Sequence, residues 1–298
     1  MTKVLIVGDL AVDIVTDLPR RFVIGGNTLL QTPKIVAAGV AGNMAWYLKK
    51  LGIDPIVVAT IGDDSWGILL KDQLIHAGIN TELIRTSKML TGFFLLLVDK
   101  KGERTMIGSR SANTELSVTA EEIVNVHPQW IHVSGYSLLN HNYEHVMKTV
   151  RYTSEDLAVP ISTDLEGISA EGRRVDLEGV TVFCNEEEFR AHFHTSPRKI
   201  ATKARQTIIV KAGRRGCYLI ARQRLTHFPS VAKEVVDTTA AGDAFNSGYI
   251  ASILSRKDEG AACRFANALA ALKITQMGAK AVPSPDELAT LRIELTGS

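Results

Sequence analysis

The densest chemical signal lies at residues 237–249, DTTAAGDAFNSGY. Ala240, Ala241 and Gly242 are small enough to let the backbone approach a ligand, and a helical pattern follows them at once. The first N–H groups of a helix have no intrahelical acceptor, so such a start is an anion site suited to phosphate. Asp243 is then an unexpected neighbour, because a carboxylate repels phosphate. Its presence makes sense if its task is to take a proton from an attacking hydroxyl. The plainer reading is an acidic residue that complements the helix dipole or caps the helix. No GxxxxGK[ST] occurs, which disfavours a P-loop enzyme. Gly8 after the first apolar run lacks the GxGxxG of a dinucleotide fold. His141 and His145 are spaced i, i+4 without an HExxH or a third ligand nearby, and read as a helix surface.

The elements that must carry these residues alternate in type. Short apolar runs at 3–8, 55–62, 129–135, 159–164, 180–185 and 206–213 end in a polar residue or glycine, as buried strands do. Helical periodicity separates them, at 41–52 and 65–78 each closing on a glycine. The C-terminal third reads as helices at 242–255 and 260–278, then a last helix starting near Pro285. This alternation predicts an α/β fold: three layers, with a mostly parallel sheet and helices on both faces. Two segments break the pattern. Residues 13–37 contain Pro19 and the Gly25-Gly26 pair, and 89–109 reads as a hairpin around Asp99-Lys100-Lys101-Gly102. Segments of about 14–36 and 88–110 are expected to form a small β-sheet that serves as a lid on a single domain spanning 1–298. The free edges of such a sheet would allow pairing in a homodimer.

Composition sets the boundaries. The 298 residues are 45% hydrophobic and 22% charged, enough to bury a large core, and carry no repeat or low-complexity tract. The net charge of +2 gives no bulk drive towards nucleic acid, and the short basic pairs Arg173-Arg174 and Arg214-Arg215 read as solvated. Cys184, Cys217 and Cys263 lie far apart without CxxC spacing, which points to a reducing cytoplasm. The apolar run Phe93–Val98 is too short to span a bilayer, and Asp9 and Asp13 interrupt the N-terminus where a signal peptide needs an unbroken core.

The 237–249 stretch resembles the DTxGAGDxF signature of the ribokinase-like (PfkB) family of sugar and nucleoside kinases, with Ala240 where the family usually has glycine. AGVAGNMAWYLKKLG (38–52) is similar to the family's first signature, GGxxxNxAxxLxxLG, with Ala38 for its first glycine. Further landmarks follow in family order: IGDDSWG (61–67), TG (91–92), GERT (102–105), NEEE (185–188) as NxxE, and KAGRRG (211–216) as TxGxxG with Lys211 for threonine. The resemblance runs from about Val4 to Pro285.

What it implies is transfer of the γ-phosphate of ATP, with Mg²⁺, to a hydroxyl of a sugar or nucleoside. It implies Asp243 as the base and the N–H groups of Ala240, Ala241 and Gly242 as the anion hole. It implies Asp13, Gly39 and Asn43 at the sugar, and Asn185 and Glu188 at Mg²⁺ and its waters. Lys211, Gly213, Gly216 and Asn267 fall on the nucleotide side, and a monovalent cation such as K⁺ has room in the scheme. Each residue keeps a plainer alternative: a loop for Asp13, an N-cap for Asn43, a solvated helix start for Glu188, packing for Asn267, and solvent for Lys211. Two other functions stay open. One is a kinase of an already phosphorylated sugar, with Arg104 or Arg110 supplying charge. The other is a catalytically silent sugar-binding protein. Phe22, Phe93 and Phe94 could stack on a purine or form the small sheet's own core.

Overall fold

The computed structural model describes every residue except 1, 22, 101–103, 169–174, 202–205, 233, 277, 281–283, 285, 288 and 292–298. Phe22, the side chain of Arg104, the Arg173-Arg174 pair and the expected helix start at Pro285 therefore lie outside the described residues. The strands are β1 (Lys3–Val7), β2 (Ala11–Asp17), β3 (Lys34–Ala38), β4 (Asp54–Gly62), β5 (Ile84–Ser87), β6 (Gly92–Val98), β7 (Arg104–Ser109), β8 (Trp130–Val133), β9 (Ile161–Asp164), β10 (Thr181–Asn185), β11 (Ile208–Lys211), β12 (Cys217–Ala221) and β13 (Arg224–Phe228). The α-helices are α1 (Val40–Lys50), α2 (Ser65–His76), α3 (Ala120–Val126), α4 (Tyr143–Leu157), α5 (Glu186–Phe193), α6 (Pro197–Ala201), α7 (Ala241–Leu254) and α8 (Glu259–Lys273).

A nine-stranded sheet runs β13-β12-β11-β10-β9-β8-β1-β4-β5. Its strands pair in parallel from β5 through β11. Alternation along each strand then divides the core. Val4, Ile6, Val57 and Phe183 face α1, α7 and α8, while Leu5, Val7, Val58 and Cys184 face α3, α4 and α5. This is why the strands read as unbroken apolar runs: both faces are covered. The expected three-layer α/β architecture is the one found.

The last two strands are the antiparallel exceptions in this mostly parallel sheet. β12 runs antiparallel to β11, and β13 antiparallel to β12. The turn between them places Arg222 at φ 50° and Gln223 at φ 61°. Two consecutive positive φ values suit a tight hairpin, but neither residue is the Asn or Gly that would signal one. Helix α8 also ends at Lys273, earlier than the 278 its apolar pattern suggested, because the backbone N–H groups of Val236 and Asp237 take the Ile274 carbonyl.

A second, four-stranded sheet runs β3-β2-β6-β7. Its first two strands reach from Ala11 to Ala38, a few residues beyond the segment of about 14–36 at each end. The reason is continuity of pairing: Ala11 already meets Ala38 on one side and Gly92 on the other. Its base is braced by Asp64, the N-cap of α2, which accepts from Gly67 N (2.8 Å), Thr91 N (2.7 Å) and the Thr91 hydroxyl (2.7 Å). The IGDDSWG and TG landmarks are thus two halves of one joint. The three cysteines are free and buried. Among the described residues, no helix is long and apolar enough to cross a membrane.

Candidate active site

Helix α1 begins where the chain turns sharply back from the small sheet. Gly39 takes φ 92°, and a Cβ there would stand 2.4 Å from the Asp9 carbonyl oxygen and 2.8 Å from Leu10 Cα. No side chain fits between two backbones that close. Asn43 follows one turn later, buried on the face of α1 that packs against α7. There its Nδ2 donates to Asp243 Oδ2 at 2.8 Å, joining residues from opposite ends of the chain. The Asn43 carbonyl oxygen is buried and has no hydrogen-bond partner among the described residues. An acceptor left so costs on the order of 1–3 kcal/mol, so the site calls for a donor such as a hydroxyl.

Helix α7 is built to leave its first turn available. Its N-cap, Ala240, is in the left-handed region (φ 57°, ψ 16°) and offers no side-chain acceptor. The loop before it is shaped by Asp237, whose Oδ1 accepts from Thr239 N (2.8 Å) and the Thr239 hydroxyl (2.6 Å), and whose Oδ2 accepts from Gly278 N (2.7 Å). Of the expected anion-hole donors, Ala241 N already gives its hydrogen to Thr238 O at 3.2 Å. The N–H groups of Gly242 and Asp243 stand at the open first turn, where the helix supplies no acceptor. Lys211, at the end of β11, is half-buried and does not point away into solvent. Its Nζ would lie 3.1 Å from a Cβ on Gly242, and it reaches Asn246 Oδ1 at 3.5 Å.

Asp243 is 7% exposed. Burial pushes its carboxyl up to about 6, the nearby Asp164 pushes the same way, and Asn43, Lys211 and His132 work against them. Half-buried Glu166 is pushed higher still, to about 8, by burial and by Asp243 and Asp164. Asp164 and Glu166 were not singled out in the sequence. Their signal was position, at or just beyond the carboxyl end of a parallel strand, where α/β folds gather ligands. Asp164 is held by Gly135 N at 2.9 Å and by His132 Nε2 at 3.3 Å, with His132 itself bonded through Nδ1 to Ser162.

Asn185 and Glu188 form a closed pair at the start of α5. Glu188 Oε2 accepts from Asn185 N, Glu188 Oε1 accepts from Asn185 Nδ2, and Asn185 Oδ1 accepts from Glu188 N, each at 2.8 Å. This capping box explains the NxxE spacing. Among the described residues, no three His, Cys, Asp or Glu side chains stand together as a metal site. Asp164 and Glu188 are near enough to Glu166 to raise its carboxyl, and their hard oxygens would meet Mg²⁺ through intervening water.

The remaining expected residues are more dispersed. Asp13 lies on β2, level with Val36 and Phe94, so Asp13 and Phe94 share one face of the small sheet. Phe93 takes the other face and packs on Trp66, ring centroids 5.4 Å apart. Gly213 and Gly216 turn the chain between β11 and β12, both at positive φ. Asn267 donates to the carbonyls of Phe228 (3.1 Å) and Pro229 (3.3 Å). It thereby anchors the segment leading to Val231 and Ala232, which with Ala268, Ala271 and Leu272 line a cleft of about 490 Å³. Arg110 is committed as well: Nε and Nη2 grip Asp9 at 2.7 and 2.9 Å, and Nη1 meets Asn140 at 2.8 Å.

This arrangement of sheet, helix start and buried carboxylate has close parallels. The family model for pfkB family carbohydrate kinases matches residues 1–287, and the chain belongs to that family. It is 27% identical to an ATP-dependent ribose-1-phosphate kinase of Halopiger xanaduensis, covering 99% of both chains. It is 26% identical to a ribokinase of Haemophilus influenzae, covering 95% of each. In fold it resembles an Arabidopsis thaliana ribokinase complexed with ribose and ATP (TM-score 0.83, 20% identity, 98% of each chain). It also resembles a Burkholderia thailandensis nucleoside kinase in complex with inosine (TM-score 0.80, 22% identity, 99% of each). The chain is therefore a kinase of the pfkB carbohydrate-kinase family with a ribokinase-like fold.

The left-handed Ala240 yields a test of the loop geometry. Ala240→Gly relieves a conformation that costs an L-residue about 1 kcal/mol, and should raise the urea midpoint by roughly 0.5–1 kcal/mol in stability at unchanged slope. A lowered midpoint would mean that the loop carries no such strain.

Proposed function

We propose that Asp243 is the general base of an ATP-dependent transfer of phosphate to a hydroxyl, a primary alcohol, of an unphosphorylated sugar or a nucleoside. The observation that carries this reading is the buried Asn43–Asp243 pair at an open helix start, with the Asn43 oxygen unpartnered. Asn43 fixes one carboxylate oxygen of Asp243 and leaves the other to accept the hydroxyl proton. The deprotonated oxygen attacks the γ-phosphorus, the bond to the β–γ bridging oxygen breaks, and ADP leaves. The N–H groups of Gly242 and Asp243 and the Lys211 ammonium meet the charge on the transferred group. Glu188 and Asp164 would hold Mg²⁺ through water, and the ion when bound would neutralise charge on the nucleotide phosphates. The cleft between Val231, Ala232, Ala268, Ala271 and Leu272 on one wall and Asp286, Glu287 and Leu291 on the other is a place for an adenine ring, and Asn267 braces the segment that carries Val231.

The small sheet is the natural lid, since it brings Asp13 and Phe94 on one face and is rooted at Gly39. A phosphorylated acceptor would need a cation at the sugar; Arg110 is already spent on Asp9 and Asn140, and the Arg104 side chain lies outside the described residues. The buried thiols accord with a reducing cytoplasm.

ATP consumption should be screened over ribose, fructose, 2-keto-3-deoxygluconate, adenosine, cytidine and fructose phosphates. On the best acceptor, Asp243→Asn should lower kcat by about 10²–10⁴-fold while ATP and sugar still bind. Near-normal turnover in a folded variant would return Asp243 to the dipole-complementing role, and no turnover by wild type on any acceptor would favour a silent binding protein.

Glu188→Gln tests the metal side. It should raise the Mg²⁺ concentration for half-maximal rate and leave the sugar KM nearly unchanged, because the lost charge bears on metal and water. An unchanged Mg²⁺ dependence would reduce Glu188 to its capping box.

A further inference from the structure

Helix α8 ends in a lysine whose head group is inside the protein. The Lys273 side chain has no exposed surface. Its Nζ donates to the carbonyl oxygens of Asp237 at 2.7 Å and Gln276 at 3.3 Å, and Asp237 Oδ2 lies 3.8 Å away. Taking an ammonium out of water is costly unless oxygens replace its hydration. Here two carbonyls, a carboxylate and the negative end of α8 replace it. Asp237 is also the residue whose side chain shapes the loop into Ala240, through Thr239 and Gly278. The buried charge and the anion-hole loop therefore share one residue.

Carbonyl and carboxylate oxygens around a desolvated single positive charge are what a K⁺ ion would require of this loop. K⁺ does not fit where the Lys273 ammonium stands, because the oxygens are already taken by a cation that cannot leave. We propose that Lys273 is a tethered internal cation. It acts as a positioning residue that locks residues 237–240 in the shape presenting the α7 start, and it makes the enzyme independent of monovalent metal ions. Its effect on rate rests on the kinase reading above; the locking of the loop does not.

The test compares wild type and Lys273→Ala in K⁺, ammonium and tetramethylammonium salts at equal ionic strength. Wild-type kcat and Tm should be the same in all of them. Lys273→Ala empties the oxygen cage, and kcat should fall by about 10–100-fold through misplacement of the loop. Ammonium or K⁺, but not tetramethylammonium, should then recover part of the rate and raise Tm by about 2–4 °C through binding to the folded state. A side chain that merely packs would show no such ion-specific rescue. If the variant folds only with ammonium or K⁺ present, that too supports the tethered cation. A wild type whose rate or Tm rises with K⁺ overturns it. So does a folded Lys273→Ala that keeps full kcat, or one that no cation stabilises. The melting measurements need no turnover, so they decide the matter even if every acceptor in the kinase screen fails.

Discussion

A carboxylate buried at the positive end of a helix, beside other carboxylates, is the constraint around which this molecule is arranged. Asp243 could be solvated cheaply on the surface, where it would be ionised and useless as a poised base. In its actual place, burial and Asp164 favour its protonated form, while Asn43, Lys211 and His132 favour the charged one. The balance leaves a carboxylate whose affinity for a proton is raised without being fixed in either state, as the proposed base requires. Glu166 adds to the negative crowding, and Lys211 is the cation that faces it across the start of α7. A site meant for a polyanion thus carries its own negative charge and needs fixed positive groups to tolerate both.

The fold supplies the rigidity that such crowding requires. Strands covered on both faces hold α1 and α7 against the same side of the nine-stranded sheet, which sets the Asn43–Asp243 contact. On the other side of that helix start, Asp237 ties the loop to the segment after α8. Gly39 then lets α1 begin directly against the backbone of Asp9 and Leu10, so this close approach and the hydrogen-bond partner of Asp243 share one turn. The joint between Asp64 and Thr91 anchors the small sheet at the same end of the molecule.

Much of this was legible in the sequence because it was local. Buried parallel strands are continuous apolar runs, and the 237–249 stretch joins small residues, an acid and a helix within one turn. The β12–β13 hairpin was not legible, because its left-handed turn uses Arg222 and Gln223 in place of Asn or Gly. The end of α8 was missed because tertiary contacts, and not helix propensity, capture the Ile274 carbonyl. Asp164 and Glu166 matter only through neighbours distant in the chain, and so does Lys273. Its burial depends on the loop at Asp237, which no periodicity reports. The NxxE spacing was legible as a motif, while the structure resolves it into a capping box whose oxygens are already engaged.

The most direct measurement is a titration of the Asp243 carboxyl carbon by NMR in the wild-type protein. The account predicts a midpoint near 6, well above the ordinary aspartate range, that drops when the burial is relieved or the Asp164 charge is removed. A midpoint close to that of a solvated aspartate would contradict it, since Asp243 would then be neither desolvated nor poised as a base.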